Sequence, residues 1–258
     1  MPNVVINGTV YHYAAKMPKK DPECAIVFVH GAGGSHTHWT PQVVGLGDKY
    51  LTIAIDLPGH GKSGGQASNK LEEYTDFVYN FGRHVLGSSF YLAGHSMGGA
   101  ITMDFALNYA DELQGMILIG TGARLRVAPV MLETFASGQK FPQMIDYAYG
   151  PAASAAMLKA ARQEMEATDA AVYYKDFQAC DQFDIMDRLH LIRNSCLIIG
   201  AAQDKLTPAK YSLFLAEKIN SSKVTIIENA GHMMMLEKPQ EVNIIIEKFI
   251  QKDVNVDE

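Results

Sequence analysis

Ser96 stands inside Gly94-His95-Ser96-Met97-Gly98, directly after the apolar run Phe90-Tyr91-Leu92-Ala93 and before a helix-forming stretch. A serine hydroxyl is a poor nucleophile until an imidazole takes its proton, and that imidazole needs a carboxylate to fix its tautomer and stabilise its charged form. A Gly-x-Ser-x-Gly turn between a strand and a helix lifts such a hydroxyl out of the sheet. An ordinary glycine-flanked turn with a solvated serine has the same five residues, so the partners decide. Two of them lie downstream. "CLIIGAAQD" (196–204) ends in Asp204 and "KVTIIENAGH" (223–232) ends in His232. In an α/β sheet, functional side chains gather on loops at the carboxyl ends of strands. Other aspartates lie between Ser96 and His232, Asp104, Asp176 and Asp184 among them, but in helix-like segments or in an inserted stretch. Only Asp204 ends a strand-like run, and the order Ser96, Asp204, His232 suits an elbow serine. The expected roles are nucleophile for Ser96, general base and then acid for His232, and orienter for Asp204.

Acyl transfer also needs donors for a developing oxyanion. The loop "HGAGGSHTHW" (30–39) follows a buried strand and is glycine-rich. Its Ala32 N–H and the N–H of Met97, just after the serine, are the expected pair. Asp56, His60 and Lys62 share a turn rich in Gly and Pro and are read as structural. His30 and His95, each beside a tight turn, are read as satisfying backbone groups. His36 and His38 flank Thr37 with no acidic ligand nearby in the chain, so no metal is expected. "GAGG" lacks the spacing of a phosphate-binding loop, so no nucleotide and no other cofactor is expected.

The elements that must hold these residues can be read from patterning. Residues 4–14 alternate apolar and polar around Asn7-Gly8, a hairpin signal. The runs at 25–31, 51–57, 90–94 and 116–120, and the two that end in Asp204 and His232, are apolar without alternation. Continuous apolar runs mean burial on both faces, and hence a mostly parallel sheet covered by helices. Residues 71–86, 99–110 and the C-terminal "PQEVNIIIEKFIQK" read as helices. Between about 124 and 188 the strand rhythm stops and helix formers, methionines and aromatics take over, with Met157, Ala161 and Met165 on one helical face. The expected organisation is an α/β core over 1–123 and 189–258 with a helical cap inserted over 124–188.

At 258 residues with a net charge of −6, the chain has room for one large domain and shows no basic stripe for nucleic acid or an anionic membrane. Its 3 cysteines are widely spaced. No signal-like start or membrane-length apolar run is seen, and a cytoplasmic protein, monomer or homodimer, is the expectation.

Together "HGAGG", "DLPGHGKS", "GHSMGG", "GAAQDKLTP" and "AGHMMMLEKP", in that order, resemble α/β-hydrolases of the esterase and lipase type. The resemblance covers roughly residues 20–123 and 189–252, and it implies a doubly wound α/β-hydrolase fold with the 124–188 insertion as a cap over the active site. It also implies a serine hydrolase acting on small to medium carboxylic esters, as carboxylesterases or monoacylglycerol lipases do. Carbon–carbon bond hydrolases, enol-lactonases and cofactor-free peroxidase-like enzymes keep the same layout, and some relatives are small-molecule receptors with vestigial activity. These alternatives stay open. In the cap, Met131, Phe135, Phe141, Met144 and Tyr147 are too many large apolar groups for a mere surface crossing; some are expected to pack the cap on the core and the rest to line a substrate pocket, Met131, Phe135 and Met144 being the expected lining.

Overall fold

The structure is a computed structural model that describes residues 2–254. The chain opens with an antiparallel hairpin, β1 (Asn3–Ile6) and β2 (Thr9–Lys16). Its turn residues Asn7 and Gly8 both adopt positive φ, 49° and 79°, as the hairpin signal requires. The apolar runs become β3 (Ala25–Val29), β4 (Leu51–Ile55), β5 (Phe90–His95), β6 (Leu113–Ile119), β7 (Cys196–Ala201) and β8 (Ser222–Ile227). They form an 8-stranded sheet in the order β1-β2-β4-β3-β5-β6-β7-β8, parallel from β4 to β8.

Helices α1 (Thr40–Leu46), α2 (Leu71–Val85) and α3 (Met97–Asn108) belong to the first half. Helices α4 (Pro129–Ala136), α5 (Gln143–Ala148), α6 (Ala155–Ala167) and α7 (Ala170–Gln182) fill the interval between β6 and β7. Helices α8 (Ala209–Lys218), α9 (Met234–Glu237) and α10 (Pro239–Val254) complete the chain.

Continuous apolar strands have a physical consequence here, because successive side chains point to opposite faces. Val27, Val29, Ile53, Ile55, Leu92 and Leu118 join one buried cluster with Phe81, Ile101 and Phe105 from α2 and α3. Their neighbours Ile26, Phe28, Ala54, Ala93, Ile117 and Ile119 join a second with Leu46, Val242, Ile246 and Phe249 from α1 and α10. Both faces are therefore covered, as the lack of alternation implies. The two edges are the exception: the hairpin β1–β2 on one side and β8 on the other are partly exposed.

The direction of winding reverses at β3. From there the chain moves to β4 on one side and returns to β5 on the other. A crevice forms at such a switch point, beyond the carboxyl ends of the strands. The loops after β3 and β5 open into it. The helices between β6 and β7 have a small core of their own, made of Phe135, Ile145, Met165, Ala170 and Tyr173. An isolated bridge between Arg124 and Asp184 joins the two ends of that inserted stretch. Cys24, Cys180 and Cys196 are buried free thiols. Among the described residues no helix is long and apolar enough to cross a membrane.

Candidate active site

Ser96 sits between β5 and α3 with φ 55° and ψ −116°, a strained backbone for a residue other than glycine. The flanking glycines explain why the turn can be so sharp. A Cβ on Gly94 would lie 2.0 Å from the Gly98 carbonyl oxygen, and one on Gly98 would lie 2.3 Å from that of Val29. Neither backbone can yield. The strained turn is held from outside: the Ser96 N–H donates to the Ile119 carbonyl at 3.0 Å, and Thr121 Oγ1 donates to the Ser96 carbonyl at 2.8 Å.

Asp204 and His232 arrive from the loops after β7 and β8. His232 Nδ1 donates to Asp204 Oδ2 at 2.9 Å, and both residues are buried. The carboxylate is fixed further by the Leu206 and Thr207 N–H groups, each 2.9 Å from Oδ1, and by Thr207 Oγ1, 2.8 Å from Oδ2. Burial alone would raise the Asp204 pKa, but His232 and these hydrogen bonds hold it down at about 2. His95 braces the imidazole from behind, its Nε2 donating to the His232 carbonyl at 3.0 Å and its ring centroid 4.5 Å from that of His232. Burial pushes the His95 pKa well down, so this brace is neutral. His30 does similar work, with Nδ1 bonded to the Gly31 carbonyl and Nε2 accepting the Leu57 N–H.

Ser96 and His232 line one cavity with Gly31, Ala32 and Gly33 of the loop after β3. Met97 opens α3, and the N–H at that position has no intrahelical acceptor. Helix dipole and free N–H together favour developing negative charge at that spot.

The inserted helices reach down to the same loop. Asp176, on α7 and fully buried, accepts the Gly33 N–H on Oδ2 at 2.7 Å, bonds His60 Nε2 at 2.8 Å and accepts Tyr74 Oη on Oδ1 at 2.6 Å. His60 Nδ1 faces the Pro58 carbonyl at 3.0 Å, so both its ring nitrogens meet acceptors, which suits the imidazolium. Burial would lower the His60 pKa, but Asp176 overrides it and the pKa is raised. On α6, Glu164 accepts Ser35 Oγ at 2.9 Å, Thr37 Oγ1 at 3.5 Å and His38 Nε2 at 2.7 Å.

These contacts correct the sequence reading that no acidic group lies near His36 and His38. Besides Glu164 on His38, Asp56 bonds His36 Nδ1 at 2.9 Å, and His12, His36 and Asp56 place ligand-type atoms within 4.8 Å of one another. Both Asp56 oxygens already accept hydrogen bonds, from the His36 ring, the His36 N–H and the Lys62 N–H. Sequence spacing missed the pairings because the acids stand 20 and 126 residues from their partners.

Among the residues expected in the pocket, Met144 lines the cavity beside Ser96, and Met131 lines a second lobe that also reaches Ser96 and His232. Phe135 is a correction. It faces neither lobe, and its ring stacks on Tyr173 at 4.9 Å within the core of the inserted helices. Phe141 packs against that same core, and Tyr147 is 49% exposed. The walls are built instead by Ile145, Tyr149, Met165, Tyr173 and Phe177, residues whose composition resembles that of their neighbours and which carried no separate signal.

The sequence model described as "Alpha/beta hydrolase family" matches residues 26–243. A solved thermophilic esterase is 30% identical, with a TM-score of 0.86 over 98% of this chain and 97% of its own. The enol-lactonase from Burkholderia xenovorans LB400 superposes with a TM-score of 0.87 over 97% of this chain and 100% of its own, at 21% identity, a likeness of fold. A putative carbamate hydrolase, RutD, from Rhizobium rhizogenes is 26% identical over 243 residues, covering 88% of this chain and 92% of that protein.

Proposed function

Because this chain belongs to the alpha/beta hydrolase family, we propose that it hydrolyses carboxylic esters of small to medium size through an acyl-enzyme on Ser96. The relatives support hydrolysis in general, and their names span carbamate, lactone and ester bonds. The ester reading draws on the similarity to the thermophilic esterase along nearly the whole chain. The observation that carries the mechanism is the 2.9 Å bond from His232 Nδ1 to Asp204, behind an imidazole that shares a cavity with the elbow serine.

In the proposed reaction, Ser96 Oγ attacks the ester carbonyl carbon while its proton passes to His232 Nε2. Asp204 stabilises the resulting imidazolium through Nδ1. The carbonyl oxygen, now an anion, accepts the N–H groups of Ala32 and Met97. The tetrahedral species collapses, breaking the bond to the leaving oxygen, which takes the proton from His232. Water then repeats the sequence on the acyl-serine, giving the carboxylic acid and free Ser96. No metal or redox partner enters any step.

The test is a panel of p-nitrophenyl and glyceryl esters of graded acyl length, with a meta-cleavage diketone alongside. Repeated turnover of esters and stoichiometric labelling of Ser96 by a fluorophosphonate are the expected results. Faster cleavage of the diketone than of any ester would overturn the ester reading, and a ligand bound without being consumed would point to a receptor.

A further inference from the structure

The two lobes that meet at Ser96 differ in charge. The first holds the loop Gly31–Gly33 and the walls from α5 to α7, and its carboxyl group is Glu164. Burial alone would raise the Glu164 pKa, but the His38 ring, 2.7 Å away in the same lobe, and the hydroxyls of Ser35 and Thr37 pull it below the usual range, so that lobe carries an ionised carboxylate paired with His38. The second lobe is lined by Ser96, His232, Met131, Arg126, Lys205 and Tyr211, among others, and no carboxyl group is among its described lining residues. Beyond Arg126 and Tyr211 it runs into a groove whose charged lining is again basic, Arg124 and Lys210. In a chain of net charge −6, a lining charged in one sense only, and that sense positive, goes against the overall composition.

We propose that the second lobe is a subsite for an oxyanion, carboxylate or phosphate, carried on the leaving-alcohol side of the substrate.

The leaving oxygen must receive its proton from His232, which with Leu206 lines both lobes; Lys205 and Thr207, on the loop that carries Asp204, line only the second, while Gly31, Ala32 and Gly33 line only the first, and this difference sets the direction. An anionic group meets a carboxylate already paired with His38 on one side and a lining whose charged side chains are Arg126 and Lys205 on the other. Asp184 lies between two guanidiniums, 3.6 Å from Arg124 and 3.7 Å from Arg126, and the Asp181 carboxylate, which accepts the Val127 N–H at 3.0 Å, stands close by, so the positive charge left over along this lining comes from Lys205 and Lys210. Arg126 also donates to the Asp181 carbonyl through Nη1, which leaves other donors of its planar fork for a ligand. Ion pairs at half-exposed side chains are individually modest, so the effect is one of selectivity.

The inference rests on the proposed ester hydrolysis, and its test separates the two. For the purified enzyme, kcat/KM is measured on 4-nitrophenyl butyrate, on 3-carboxy-4-nitrophenyl butyrate with the anion on the leaving group, and on 4-nitrophenyl hemiglutarate with the anion on the acyl group. Glyceryl monobutyrate and its 3-phosphate give the phosphate arm. The expected result is a preference for the leaving-group anion over the acyl anion that falls about three- to tenfold in Arg126→Gln and Lys205→Gln, inverts in Arg126→Glu/Lys205→Glu, and weakens as salt rises. The arm with the larger preference, carboxylate or phosphate, names the ligand. Ester turnover with equal preference in wild type and variants overturns the subsite while leaving hydrolysis standing. A preference for the hemiglutarate overturns its placement on the leaving side. Failure to turn over any ester removes the underlying reading and this one with it.

Discussion

The core loops after β5, β7 and β8 and the helices inserted between β6 and β7 enclose one cavity, but they are held in place by different physics. The core loops hang from parallel strands of one sheet, and the Ser96 turn is dictated within a few residues by backbone too close to admit a Cβ. The inserted helices have no strand to hang from. They are anchored on the core by buried polar contacts that span the chain: Asp176 reaches Gly33 across 143 residues, His60 across 116 and Tyr74 across 102. Glu164 reaches Ser35 across 129. A buried polar network is rigid only while every member is satisfied, and an orphaned group costs its full desolvation. The core therefore carries Ser96, Asp204 and His232, while the insertion sets the loop that faces them and the walls around them.

The sharpest way to break this division is at the core. Ser96→Ala should abolish ester turnover, by about 10⁴-fold or more, with an unchanged circular dichroism spectrum and melting temperature, because an elbow hydroxyl contributes little to packing. Asp204→Asn should lose about 10⁴-fold in kcat, since its amide holds the imidazole in the wrong tautomer. Near-normal rates in either purified variant would move the chemistry elsewhere.

A smaller effect is expected where the insertion touches the loop after β3, which is proposed to donate to the oxyanion. Asp176→Ala strands the Gly33 N–H next to Ala32, and a misplaced donor costs up to about 10²-fold in kcat. Asp176→Asn should recover most of it, because its amide oxygen can accept from Gly33 and His60 while its NH₂ donates to Tyr74. Tyr74→Phe serves as comparator: it removes one arm of the network and should lower the melting temperature with kcat retained. If Asp176→Ala and Tyr74→Phe change stability alike and neither changes kcat, the insertion does not position the loop.

Within the insertion, wall and core should separate. Phe177→Ala enlarges the cavity and should shift the acyl-chain optimum to longer esters, at about 0.8 kcal/mol per buried methylene. Phe135→Ala, at 1% exposure, should cost about 3–5 kcal/mol of stability and leave the chain-length profile in place. A changed profile in Phe135→Ala with none in Phe177→Ala would reverse the two assignments.

The smallest effect is a pH dependence. The raised His60 pKa means that the folded state binds its proton more tightly than the unfolded chain. Its contribution to stability is complete below the unfolded value of 6.5 and is lost as pH rises through the higher folded value. The melting-temperature gap between wild type and His60→Gln should therefore narrow above pH 6.5. A gap that widens with pH would show that His60 is held neutral.

How much of this was legible before folding follows from the range of each interaction. The hairpin at Asn7-Gly8, the strands β3 to β8 and the helices α2, α3 and α10 are written in local periodicity and turn chemistry. Ser96, Asp204 and His232 could be picked out because each follows an apolar run, and parallel strands deliver such ends to one edge of the sheet. The sequence by itself thus determined the class of fold and which side chains meet at the crevice. It could not place Phe135 in a small core while Met131, on the same helix, lines a lobe, since α4's periodicity is the same for either and its packing against α7 makes the choice. Nor could it reveal that Glu164 and Asp176 grip the loop after β3, or that one lobe carries a carboxylate and the other only cations. Those are contacts between residues far apart in the chain, and only the docking of one packed element on another brings them within hydrogen-bonding reach.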